Sequence, residues 1–118
     1  MSDTFTKRDF KIKKDNYRRV RGGTTKVIEL ACSNCGSRVM IYQKDGVGRI
    51  LRTYLDRILF PANLANLAGD PKIRNAKDMV PLKCEACGAL LGVPMLYKPE
   101  HRLAFRLKRG ALVKHVLG

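Results

Sequence analysis

The sequence predicts a small, mostly-β domain stapled by one metal ion and preceded by a basic, extended N-terminal arm. Three observations carry this. All four cysteines fall in two matched CxxCG knuckles, "CSNCG" at Cys32–Gly36 and "CEACG" at Cys84–Gly88. Short β-branched runs and tight-turn glycines surround both knuckles. The first 26 residues carry nine basic and three acidic side chains but few apolar ones.

The arm, residues 1–26, interleaves Phe10, Ile12, Tyr17 and Val20 with six basic side chains in "FKIKKDNYRRVRGG" and breaks at Gly22-Gly23. That apolar content is too small for it to fold alone. Two readings stand: a solvated, frayed terminus, or an arm that orders on a phosphate backbone with Tyr17 or Phe10 free to stack on a base.

The β domain is expected over residues 27–118. "TKVIELACSNCG" reads as a strand feeding the first knuckle, and "RVMIYQKDGVGRI" as a hairpin turning at Asp45-Gly46. Over 49–60, Ile50, Leu51, Tyr54, Leu55, Ile58 and Leu59 recur at helical spacing with Arg49, Arg52, Asp56 and Arg57 opposite. Periodicity alone predicts a helix there, although Gly48 and the turn before it suit a returning strand. "PANLANLAGDPKIRNAKDM", punctuated by Pro61, Gly69 and Pro71, reads as a long connection with room for one helical turn. After the second knuckle, Leu103, Phe105 and Leu107 alternate with Arg102, Ala104, Arg106 and Lys108, the period of a half-buried strand. "LKRGAL" then predicts a hairpin turn at Gly110, placing Arg102, Arg106 and Lys108 on one sheet face.

CxxC sets two sulfurs on one tight turn, so Cys32 and Cys35 supply two corners of a tetrahedron and Cys84 and Cys87 the other two. The 48 residues between Cys35 and Cys84 are no obstacle, because the fold closes that distance. Soft thiolates suit zinc first and iron second, and a four-thiolate site has no open position for water or substrate. One structural Zn²⁺ is therefore expected. A thioredoxin-like device needs a single CxxC at a helix N-terminus. His101 and His115 stand alone, no nucleophile and base pair emerges, and neither an enzyme nor a small-molecule substrate is expected.

The formal charge of +14 on 118 residues implies a polyanionic partner. RNA is placed ahead of DNA, with ribosomal RNA a specific expectation, and phosphate contacts are assigned to Lys7, Arg8, Lys11, Lys13, Lys14, Arg18, Arg19 and Arg21 on the arm. Arg102, Arg106, Lys108 and Arg109 supply a second set on the folded domain. No stretch approaches a membrane span and "MSDTFTKRDF" lacks the apolar core of a signal peptide, so a cytoplasmic protein with reduced thiols is expected.

With these residues in hand, the chain resembles the β-tent zinc domains of the Yippee and cereblon thalidomide-binding group. The resemblance lies in "CSNCG", "GRILRTYLDRI", "LKCEACGALLG" and "YKPEHRLAFRLKRGALVKH", and covers roughly Val27 to Val116. It implies a β-tent, or more loosely a zinc-ribbon-like fold, with a strand rather than a helix over 49–60. It also implies an alternative function, a Yippee-like protein-interaction module. The chain has no tryptophan, so the cereblon-type ligand cage is not implied. Methionine sulfoxide reductases of related fold need a further cysteine that is absent here.

Overall fold

The computed structural model describes residues 4–118. A 3-10 turn at Lys7–Asp9 and a short helix, α1 (Asn16–Val20), precede the strands β1 (Thr25–Cys32), β2 (Arg38–Asp45), β3 (Arg52–Tyr54) and β4 (Ile58–Phe60). Helix α2 (Ala62–Ala65) and two further 3-10 turns lead to β5 (Leu82–Lys83), β6 (Leu90–Tyr97), β7 (Arg102–Leu107) and β8 (Leu112–Val116). The strands form two four-stranded antiparallel sheets, ordered β4-β2-β1-β8 and β3-β7-β6-β5. Among the described residues no helix is long and apolar enough to cross a membrane.

Inward side chains of both sheets make one core. Ile28, Leu30, Met40 and Tyr42 of the first sheet meet Leu82, Leu91 and Phe105 of the second, with Leu55 and Met79 filling the edges. On β1 the even positions Ile28, Leu30 and Cys32 point inward, as a period of two requires. On β2 the alternation fails, because Met40 to Lys44 are all buried. Its outer face carries Ile41 and Gln43, both 0% exposed, so something must cover it.

The cover is the N-terminal segment, and this corrects the expectation of a free, extended arm. The Lys13 backbone N–H donates to Gln43 Oε1 and Gln43 Nε2 donates back to the Lys13 carbonyl, each at 2.8 Å. Phe5 packs on Phe60 with ring centroids 5.0 Å apart, and the Arg38 guanidinium lies over the Phe5 ring. Helix α1 is capped by Asp15, whose side chain accepts from the Arg18 N–H. The segment's end then touches the β2 turn: at Gly46, with φ +78°, an added Cβ would lie 2.8 Å from the Arg21 carbonyl oxygen. The segment has too little apolar surface to fold by itself, and it docks through hydrogen bonds, ion pairs and the Phe5 ring.

Residues 49–60 are neither a helix nor one strand. β3 pairs with β7 in the second sheet, a 3-10 turn follows at Leu55–Arg57, and β4 returns to pair with β2 in the first. The apolar spacing that mimics a helix comes from two short strands joined by one turn. It also misplaces Arg57, which is 1% exposed rather than on a solvent face. The hairpin expected at Asp45-Gly46 is likewise a crossing, since β2 and β3 belong to different sheets. The same holds at Gly110, which has the positive φ of +75° expected of it but links β7 to β8 across the two sheets.

Candidate metal centre and basic cleft

The knuckles are the turns of two hairpins, β1-β2 in one sheet and β5-β6 in the other, and they repeat one backbone pattern. Cys32 N–H donates to Ser37 O at 2.8 Å and Gly36 N–H to Cys32 O at 2.8 Å. In the second, Cys84 N–H donates to Ala89 O at 2.9 Å and Gly88 N–H to Cys84 O at 2.7 Å. Gly36 and Gly88, at φ +80° and +78°, take the left-handed conformation that this turn needs after its second cysteine.

The four sulfurs all lie within 4.8 Å of one another, a cluster compatible with one structural metal ion. The closest contacts cross between sheets, Cys32 Sγ to Cys87 Sγ at 3.7 Å and Cys35 Sγ to Cys84 Sγ at 3.6 Å. Cys32 and Cys84 are buried, whereas Cys35 and Cys87 are exposed. The Cys35 thiol is lowered to about 6, first by its side-chain hydrogen bond with Ser37. Cys87 is also lowered, first by Asn34, whose Nδ2 donates to its sulfur at 3.4 Å. Both shifts favour the thiolate, the form that binds a metal.

Away from the knuckles the two sheets are joined by a chain of ion pairs. Arg57 donates through Nε to Asp45 at 2.7 Å and through Nη1 to Asp15 at 3.1 Å. Arg102 donates to Asp56 at 2.6 Å and to Glu100 at 3.0 Å, while both Nη atoms of Arg21 reach Glu100 at 2.8 Å. The Arg102 guanidinium also lies between two rings, 4.0 Å from the Tyr17 centroid and 3.8 Å from that of Tyr54. Three of these groups, Asp15, Tyr17 and Arg21, come from the N-terminal segment.

Between the sheets a cleft opens as two concavities that share one stretch of wall. The larger, about 470 Å³, is lined by Leu30 and Leu112 of the first sheet, Leu107 of the second, and the cations Arg49, Lys108, Arg109 and Lys114, with no acidic residue. The smaller, about 380 Å³, contains Lys44, Arg49 and Arg52 and one acid, Asp45. Arg49, Ile50 and Leu51 line both. Lys44 is 8% exposed and, among the described residues, donates only to the Gly46 carbonyl, at 2.8 Å. Burial lowers its pKa, and neighbouring Lys114 and Lys26 add to that effect. No ion pair of Lys44, Arg49 or Arg52 forms among the described residues.

The cations expected to meet phosphate divide into two groups. Arg21 and Arg102 are committed to carboxylates, and Arg102 is 5% exposed, so it shares no solvent face with Arg106 and Lys108. Arg18 donates to Thr25 Oγ1, and Lys13 Nζ to the Asp56 carbonyl. Lys7, Arg8, Lys11, Lys14 and Arg19 are exposed on the docked segment, as are Arg106, Lys108 and Arg109 on the domain. Lys44, Arg49, Arg52 and Lys114 were not singled out by sequence. Only the pairing of β3 with β7 and of β8 with β1 brings them together. The pairing Arg52↔Arg106, two cations directly opposite on adjacent strands, is a feature that a packing role alone does not call for.

No family model, curated protein or solved structure matches this chain.

Proposed function

We propose that this chain is a zinc-stabilised RNA-binding protein whose interface is the cleft between its two sheets. One observation carries the reading: Arg49, Lys108, Arg109 and Lys114 line a single groove without any carboxylate among its walls. Like charges gathered in a concavity repel one another until a polyanion enters, and the groove focuses their field on whatever does. Such contacts fix position on a backbone without reading bases. The exposed cations of the docked segment, Lys7 to Arg19, extend the positive surface. The zinc assignment rests on the sulfurs: four Zn–S bonds of about 2.3 Å place tetrahedral thiolates about 3.8 Å apart, close to the 3.6 and 3.7 Å contacts here. Two sheets leaning together with a knuckle from each at the shared ion is the arrangement expected of a β-tent. Ribosomal RNA remains the specific partner expected.

Salt dependence tests the reading. RNA affinity should fall linearly with salt on logarithmic axes, each lost phosphate contact lowering the slope by about 0.7 on a single strand. The triple change Lys108→Gln, Arg109→Gln and Lys114→Gln should flatten it by about two. An affinity that ignores salt, or a slope unchanged in the triple variant, would sink the reading.

A protein-interaction module is the second reading. It is favoured by an apolar groove of about 800 Å³ lined by Phe60, Leu64, Leu67, Ile73 and Met79. RNA binding that is absent at low salt would favour it over the first.

A further inference from the structure

We propose that the smaller concavity of the cleft is a pocket for one nucleotide unit, with its phosphate on Lys44, Arg49 and Arg52 and its base against an apolar lip. The ligand chemistry, a phosphate ester carrying a planar base, has two sources: a free nucleotide or an unpaired residue of a strand. Only the second source rests on the RNA reading above.

Charge is the first argument. Six cations line this concavity. Arg21, Arg57 and Arg102 spend their charge on Glu100, Asp15, Asp45 and Asp56. Lys44, Arg49 and Arg52 have no carboxylate within ion-pair distance among the described residues. A largely buried lysine without an acid is costly unless an anion visits it. Arg102 adds a second sign: its buried Nε–H has no acceptor among the described residues, and its side chain lines the same space.

The lip is the second argument. Val20, Val47 and Leu51 are 74%, 92% and 57% exposed, and all three line this one mouth. Inorganic phosphate has no use for apolar lips, whereas a base has an apolar face on each side. Shape is the third. A volume of about 380 Å³ lies at the small end of ligand pockets and admits one nucleotide, not a duplex. The wall is also preset: Arg52 stacks 4.2 Å from the Tyr97 centroid and donates from Nη1 to Tyr54 OH at 3.1 Å. An arginine already held in place loses less freedom on binding.

The test is a titration of the full-length, zinc-loaded chain with AMP, UMP, inorganic phosphate, and one short RNA as single strand and as duplex, followed by NMR. Saturable binding of a nucleotide should shift the Val20, Val47 and Leu51 methyls together with the Arg49 and Arg52 Nε signals. Inorganic phosphate should bind at least about tenfold more weakly. The exposed pair Val20→Ser and Val47→Ser, which line only this concavity, should weaken nucleotide binding about tenfold while leaving duplex affinity unchanged. Lys108→Glu with Arg109→Glu should do the reverse. Phosphate binding as tightly as a nucleotide, or nucleotide binding indifferent to the serine pair, overturns the pocket. RNA held without any shift at the methyls of these three residues overturns the pocket and leaves the RNA reading standing. Nucleotide binding in a chain that holds no RNA supports the pocket and sinks the RNA reading.

Discussion

Arg57 and Asp45 form a buried ion pair: Nε donates to Oδ2 at 2.7 Å, with the two side chains 1% and 4% exposed. Arg57 sits on the 3-10 turn between β3 and β4, and Asp45 ends β2, so the pair fixes the chain where it crosses between sheets. Asp15 of the N-terminal segment joins the same guanidinium, which makes Arg57 the point where three parts of the chain meet.

Removing one partner of such a pair leaves the other charge buried and uncompensated. Arg57→Ala should cost about 3–5 kcal/mol, measured as a lower midpoint in urea unfolding. Asp45→Asn should cost less, because an amide keeps an acceptor for Nε. An Arg57→Ala chain as stable as wild type would show that the pair is not formed.

The Asp15 carboxyl is lowered to about 2, first by its hydrogen bonds from the Arg57 side chain. Its folded value lies below its unfolded value. The stabilisation is therefore fully present above about pH 4 and lost as pH falls toward 2. The side chain is 41% exposed, so solvent screening holds the effect to about 1 kcal/mol. The stability difference between wild type and Asp15→Asn should be constant from pH 7 to about 5 and shrink below about 4. Taking the difference removes any acid loss of an ion bound at the four cysteines, which would affect both chains alike. A carboxyl titration midpoint near 4 for Asp15 in the folded chain would contradict the docking.

If the four thiolates hold one ion, elemental analysis should find one zinc per chain. Cys84→Ser should abolish near-ultraviolet circular dichroism, because ligand loss and unfolding are coupled. Cys84 is buried and Cys35 exposed, so Cys35→Ser should be the milder change. A folded, metal-free Cys84→Ser chain would demote the cluster to four packed thiols.

The cysteine cluster was legible because its information is local: two residues between ligands and a glycine after the second survive any rearrangement of the sheets. Charge was legible only in sum. Counting cations cannot separate Arg21 and Arg102, whose carboxylates stand 79 and 46 residues away, from Lys108 and Arg109, which stay exposed. Periodicity failed over 49–60 because a strand, a turn and a second strand reproduced helical spacing while burying Arg57. The N-terminal segment was misread for the same physical reason in reverse. Its scarcity of apolar side chains rules out autonomous folding but not docking through Asp15, Tyr17 and Arg21.

The repeated backbone pattern of the two knuckles also bears on how the domain assembles. Each hairpin presets its own two sulfurs through bonds spanning four or five residues, whereas joining the halves closes a ring of roughly 50 residues. By chain statistics that closure costs about 4 kcal/mol. An ion caught first by one hairpin would wait there as a half-filled chelate, and the slow event would be the arrival of the other sheet.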